Sequence, residues 1–121
     1  LLRQLHAQGR KLAIVSNKPD EAVRTLRADF FADAVQIAVG ETAAIRRKPA
    51  PDMLLAAMEQ LGADPDKTVF VGDSEVDIAT ARAADLPCIS VLWGFRDRDV
   101  LERAGAQQFA ADIAQLQALL G

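Results

Sequence analysis

The chain has 121 residues, half of them hydrophobic and about a quarter charged, which is an ordinary balance for one globular domain. A formal net charge of −3 gives no general attraction to nucleic acid or to an anionic membrane, and the apolar runs are too short to span a bilayer. The single cysteine, Cys88, excludes an internal disulfide and fits a reducing compartment, so we expect a cytoplasmic protein.

The first elements predicted along the chain are a helix, a strand and a second helix. Three leucines share one face of the first helix, which Gly9 ends: Leu1, Leu2 and Leu5. The apolar run Lys11–Ser16 is short enough for a buried strand. Pro19 suits the first turn of the second helix, which is expected to bury three apolar side chains: Val23, Leu26 and Phe30. A weakly signalled strand follows at Ala34–Val39.

The rest of the chain continues this alternation. Pro51 opens a helix that Gly62 ends and that carries an apolar stripe: Met53, Leu54, Ala57, Met58 and Leu61. Buried strands are predicted at Thr68–Val71 and Pro87–Leu92, with a helix between them and two more helices after them. Strands alternating with helices predict an α/β fold, a three-layer αβα sandwich with a mostly parallel, Rossmann-like sheet.

Polar residues follow the predicted strands. Ser16, Asn17 and Lys18 come after the first strand, Asp73 and Asp77 after Val71, and Lys48 lies in a loop before the Pro51 helix. Ligands of such folds bind at the carboxyl ends of the strands. A phosphoryl group needs neutral donors and a cation, and Mg²⁺ needs carboxylate oxygens. We therefore expect this edge to bind both.

Three segments resemble, in order and spacing, the second, third and fourth motifs of haloacid dehalogenase-type phosphatases: Ser16-Asn-Lys18, Lys48-Pro-Ala-Pro-Asp52 and Val71-Gly-Asp-Ser-Glu-Val-Asp77. Leu86–Arg96 further resembles the phosphoglycolate phosphatase branch of that superfamily. The resemblance runs through nearly the whole chain and implies that residues 1–121 are a partial catalytic core. At Asp85, where relatives often have glycine, it implies a left-handed helix end, which aspartate tolerates.

The resemblance also implies a role for each matching residue. Ser16 would donate its hydroxyl to the transferring phosphoryl group, and Asn17 would shape the same pocket. Lys48 would neutralise the phosphoryl oxygens and hold the nucleophilic carboxylate in place. Asp73 would ligate Mg²⁺, and Asp77 would act on the metal's water shell or orient Lys48. The implied activity is magnesium-dependent hydrolysis of a small phosphate monoester through an aspartyl-phosphate intermediate.

The family's first motif, Asp-x-Asp-Gly-Thr, does not occur in the sequence, and neither does the helical cap that usually follows it. That motif carries the nucleophile and the general acid/base. Because Leu1 also lies inside a helical pattern, we expect the sequence to be cut at its N-terminus, and residues 1–121 alone to be inactive.

Several alternatives stay open on the sequence alone. Ser74-x-x-Asp77 is also a helix-capping pattern, so Asp77 has a structural interpretation compatible with the functional one. Trp93–Arg96 borders the predicted site, although loop packing is the simpler interpretation of that segment. A phosphosugar mutase or a pyrophosphatase of the same superfamily would share all three motifs. A catalytically inactive relative that only binds a partner is less favoured, because Lys48 and Asp73 are both present. A receiver-like signalling domain is also less favoured, because receivers carry their carboxylates before the hydroxyl.

Overall fold

The computed structural model describes residues 1–94 and 96–121, so Phe95 of the predicted site-bordering segment lies outside the described residues. Helices and strands alternate along this part of the chain: α1 (Leu2–Ala7), β1 (Ala13–Pro19), α2 (Asp20–Leu26), β2 (Ile37–Glu41), α3 (Asp52–Leu61), β3 (Phe70–Gly72), α4 (Glu75–Ala83), β4 (Cys88–Val91), α5 (Arg98–Arg103), β5 (Gln108–Ala110) and α6 (Ile113–Leu120). A π-helical turn, Arg27–Phe31, follows α2, and a 3₁₀ turn, Pro65–Lys67, precedes β3.

The strands pair in parallel and form two sheets. β1 pairs with β2, with Ala13 opposite Ile37, and β4 lies between β3 and β5. The predicted α/β class and parallel pairing are confirmed, although the strands form two sheets instead of one. In the described part of the chain, β1 and β3 each keep one edge without a strand partner.

Both faces of β2 and β4 are buried. Ala38 and Val39 are consecutive in β2 and both are buried, although successive side chains of a strand point to opposite faces. Met53 and Ala57 of α3 pack against Val39, and α2 also contacts β2. In β4 the consecutive residues 89–91 are likewise all buried. This pattern is that of sheets between helical layers.

The apolar stripe of α3 is confirmed. Met53, Leu54, Ala57 and Met58 are buried and Leu61 is half-buried. Gly62 ends the helix in the left-handed conformation with φ of 64°. Asp85 also takes a left-handed conformation, with φ of 59°, as expected at the end of α4. No helix in the described ranges is long and apolar enough to cross a membrane.

The predicted buried face of the second helix is wrong beyond Val23. Leu26 is 38% exposed and Phe30 is 71% exposed. The α-helix ends at Leu26 and continues as the π-helical turn, whose wider winding ends the 3.6-residue periodicity on which the prediction was based. The Nε of Arg27 donates a 2.6 Å hydrogen bond to the carbonyl of Val35, which links this turn to the approach of β2.

Strand boundaries also differ from the prediction. β1 begins later than expected and runs on to Pro19, so Asn17 and Lys18 lie within the strand instead of after it. β2 begins at Ile37, three residues later than predicted. β3 covers only Phe70–Gly72, and Val71 is half-exposed instead of buried. A strand end depends on which partner residues offer backbone groups, and local hydrophobicity does not report this.

Candidate active site

Lys48 joins the ends of the two sheets. Its backbone N–H donates a 2.7 Å hydrogen bond to Oδ1 of Asn17 in β1, and its carbonyl accepts a 3.3 Å bond from Nδ2 of the same side chain. Its Nζ lies 2.6 Å from Oδ1 of Asp77 in α4. A strand of the first sheet therefore holds the backbone of Lys48, and the helix that follows β3 of the second sheet holds its ammonium group.

Asp77 is buried and uses both carboxylate oxygens. Oδ1 accepts from Lys48, while Oδ2 accepts from the backbone N–H groups of Asp73 and Ser74, at 3.0 and 3.3 Å, and from the Ser74 hydroxyl at 3.2 Å. The Ser74 hydroxyl in turn accepts from the backbone N–H of Asp77, which completes a capping box at the start of α4. A carboxylate has about four lone-pair sites. Asp77 therefore fits the orientation of Lys48 better than direct contact with a metal ion.

The pair of Lys48 and Asp77 is largely shielded from water. Its side chains are 14% and 6% exposed. The ammonium nitrogen also lies 5.8 Å from the centroid of the Phe70 ring, a favourable position for a cation. In such a place each charge depends on the other, because a partner left alone would be a desolvated charge. The ammonium still has two further N–H groups that can face an anion.

Asp73 lies four residues before Asp77 and has a different environment. It directly follows β3 and is exposed, and within the described ranges its carboxylate accepts no hydrogen bond. Arg96 lies nearby: the pKa of its guanidinium is raised, chiefly by its 2.8 Å hydrogen bond to Glu75 and to a smaller extent by the negative charge of Asp73. Asp73 thus offers free carboxylate oxygens at the carboxyl edge of the second sheet.

The described residues do not gather three or more metal-ligating side chains at one point. Mg²⁺ does not require such a cage, because it usually keeps several waters and is held by one or two carboxylates together with substrate phosphate. An exposed carboxylate that accepts no hydrogen bond from the described residues, four positions before the aspartate that holds Lys48, fits this mode of binding. The donor set therefore fits Mg²⁺, and Asp73 is the residue that would ligate it.

Ser16 and Asn17 are both half-buried near the end of β1. The hydroxyl oxygen of Ser16 accepts a 3.2 Å bond from the backbone N–H of Lys18. Its O–H proton makes no hydrogen bond among the residues that the structure covers, so it can be donated to a ligand. Both polar atoms of the Asn17 side-chain amide instead form hydrogen bonds with the backbone of Lys48. The structure thus brings Asn17, Lys48 and both aspartates together, and Ser16 precedes Asn17 in the same strand.

Sequence reasoning missed a contact between Asp20 and Gly40. Oδ1 of Asp20 accepts a 3.0 Å bond from the backbone N–H of Gly40, and a Cβ on Gly40 would lie 2.7 Å from the Lys18 carbonyl oxygen. The pKa of Asp20 is lowered, mainly by the Gly40 bond and less by Arg24, against an opposing effect of burial. The i, i+4 spacing of Asp20 and Arg24 signals their ion pair, but nothing local signals Gly40.

Comparison with known proteins finds relatives for most of the chain. A sequence model described as haloacid dehalogenase-like hydrolase matches residues 1–85. The phosphoglycolate phosphatase of Rhodospirillum rubrum is 36% identical over all of this chain and 50% of its own length, and that of Escherichia coli K12 is 32% identical over 99% of this chain and 48% of its own. The chain therefore spans about half the length of the curated relatives it matches.

Solved structures with the same fold cover nearly the whole chain. A candidate phosphoglycolate phosphatase from Lactobacillus delbrueckii subsp. bulgaricus superposes with a TM-score of 0.95 at 43% identity, covering 98% of this chain and 50% of its own. A haloacid dehalogenase family hydrolase from Deinococcus radiodurans, solved with bound phosphate and sodium, superposes with a TM-score of 0.85 at 28% identity and covers 98% of this chain and 55% of its own.

Proposed function

The chain belongs to the haloacid dehalogenase-like hydrolases, and on this premise we propose that its protein is a magnesium-dependent phosphatase of small phosphate monoesters such as phosphoglycolate. One observation carries the proposal: Asp77 holds the ammonium of Lys48 with one carboxylate oxygen and the backbone N–H of Asp73 with the other, while the Asp73 carboxylate accepts no hydrogen bond among the described residues. The proposed substrate is a small phosphorylated metabolite, and the proposed location is the cytoplasm, where the free thiol of Cys88 is stable.

Each of the described side chains would contribute a different interaction to the binding of a phosphoryl group. A dianionic phosphate and an attacking carboxylate repel each other, so positive charge must be in place before they meet. Lys48 supplies such a charge, and Asp77 holds it still without removing its two remaining N–H donors. Ser16 supplies a neutral donor from the end of β1. Mg²⁺ held by Asp73 would add Lewis-acid stabilisation of the phosphoryl oxygens.

The nucleophile of the proposed reaction is an aspartate outside residues 1–121. Its carboxylate would displace the substrate's ester oxygen from phosphorus, and water would then release phosphate from the resulting aspartyl phosphate. The edges of β1 and β3 that have no strand partner among the described residues offer backbone hydrogen bonds to a further strand that would carry this aspartate. On this proposal the domain at residues 1–121 is a partial catalytic core, and residues 1–121 alone have no activity.

Substitution of Lys48 in the full protein tests the proposal. Lys48→Ala is expected to lower kcat for phosphoglycolate and for a generic aryl phosphate by roughly 10³-fold or more, because a full charge leaves a water-poor site. Lys48→Met keeps the apolar stem against Phe70 and should lose as much activity with less loss of stability. Lys67→Ala, at an exposed lysine of the 3₁₀ turn, serves as the matched control. A folded Lys48 variant with kcat within a few-fold of wild type would contradict the proposal.

A further inference from the structure

We propose that Gly94 is a positioning residue that sets the place of the Asp73 carboxylate and thereby the affinity of the site for a divalent cation. The inference rests on the proposed function, because it takes Asp73 as the metal ligand. Gly94 lies beyond β4, in the segment for which loop packing was the simpler interpretation of the sequence. The place where a larger residue would carry its Cβ is occupied by the side chain of Asp73.

The backbone of Gly94 lies against the side chain of Asp73. A Cβ built on Gly94 would be 2.6 Å from Cβ and 2.7 Å from Cγ of Asp73, and it would overlap Oδ2. Real Cβ atoms essentially never approach another heavy atom within 3.0 Å. The φ angle of Gly94 is not in the left-handed region, so backbone conformation does not explain the glycine. Glycine is required at position 94 because Asp73 occupies the space that a Cβ would need.

Rotation of the aspartate would not relieve this overlap. The Cβ of Asp73 stays in place when the side chain turns about its first torsion angle, so one of the two backbones has to move. A movement of roughly half an ångström is comparable with the tolerance of a preorganised site. Mg²⁺ is sensitive to such a movement, since it demands near-ideal octahedral geometry at about 2.0–2.1 Å from its ligands.

Gly72 also lies against an aspartate, and comparing the two glycines indicates why Gly94 has more influence on the metal site. A Cβ on Gly72 would overlap the carboxylate of Asp77. Asp77, however, is also held by Lys48 and by three hydrogen bonds to its other oxygen. Among the described residues, Asp73 has no bond of this kind. Arg96 acts on Asp73 as a nearby charge, so close packing against Gly94 is the main steric restraint on the Asp73 carboxylate in the described part of the chain.

Direct measurement of cation binding tests the inference. Mn²⁺ binding to the full protein, followed by electron paramagnetic resonance without substrate, should weaken by roughly 10–100-fold in Gly94→Ala, the usual effect of losing a group that positions a metal ligand. Gly9→Ala is the matched control: its φ is +83° and its added Cβ meets nothing within 4 Å, so it strains the backbone away from the site. Its Mn²⁺ affinity should equal that of wild type.

The outcomes separate this inference from the proposed function. If Asp73→Asn binds Mn²⁺ as well as wild type, the metal assignment and the proposed function fail together. If Asp73→Asn loses binding and Gly94→Ala keeps it within two-fold, only the role of Gly94 is overturned. If Gly94→Ala does not fold, the double variant Asp73→Gly/Gly94→Ala, which removes the contacted side chain, should recover the fold. Failure of that double variant would also overturn the inference.

Discussion

The ends of β1 and β3 both carry an aspartate in the first turn of the following helix, but the two aspartates have different surroundings. Asp20, after β1, pairs with Arg24 and with the backbone of Gly40, and the Arg24 side chain is 66% exposed. Asp77, after β3, pairs with Lys48 where both side chains are largely buried. At the end of β1, an ion pair with an exposed arginine helps to join two strands. At the end of β3, both members of the ion pair are shielded from water.

An ion pair between an aspartate and a basic residue should contribute differently to stability at the two ends. An exposed ion pair contributes about 0–1 kcal/mol, because water screens it and two long side chains must be ordered. Breaking a buried pair costs more, since the remaining charge is left without solvent or partner. Lys48 also depends on both ends, with its backbone on Asn17 and its ammonium on Asp77. Substitutions at the two ends should therefore differ in size.

The largest expected effect on stability is at Asp77. Asp77→Ala should lower the free energy of unfolding by about 3–5 kcal/mol, because it leaves the Lys48 ammonium uncompensated and removes the capping box of α4. Urea denaturation of the full protein measures the loss. Asp112→Ala removes a capping carboxylate at the exposed start of α6 and should cost about 1 kcal/mol. Similar losses in the two variants would show that the burial of the Lys48 pair has no energetic weight.

An intermediate effect is expected at Asn17. Asn17→Ala removes two hydrogen bonds to the Lys48 backbone and should lower the free energy of unfolding by about 2 kcal/mol. Asn17→Asp keeps an acceptor for the N–H of Lys48 but sets a carboxylate oxygen against its carbonyl oxygen, so its loss should be at least as large. Chemical denaturation near neutral pH compares the two. An Asn17→Ala protein as stable as wild type would remove Asn17 from the positioning of Lys48.

The smallest expected effect is at Asp20 and depends on pH. Because the pKa of Asp20 is lowered on folding, its ionised form stabilises the fold above the unfolded value of 3.8. That contribution is lost as pH falls through the folded pKa. Asp20→Asn should therefore cost at most about 1 kcal/mol at neutral pH and nothing at pH values well below 3.8. Unfolding free energies of both proteins across acidic pH test this, and a difference that grows on acidification would contradict it.

The sequence determined the features that depend on neighbouring residues. The stripe of Met53 to Met58 and the end at Gly62 predict α3, since apolar side chains three and four residues apart share one face of a helix. Alternating apolar runs and helical stripes predict the α/β class. The three polar motifs, read by their order, predict the family, and the family match at residues 1–85 confirms it. The roles of the individual site residues stay predictions.

Tertiary structure decided the features that depend on residues far apart in the chain. Asn17 and Lys48 are separated by 31 positions and Lys48 and Asp77 by 29, so no local pattern reports which of their atoms pair. The exposure of Phe30 follows from a π-helical turn, and the need for glycine at position 94 follows from the place of Asp73. Periodicity along the chain reports which side of an element is apolar, whereas partners, strand ends and free space are set only when the elements pack together.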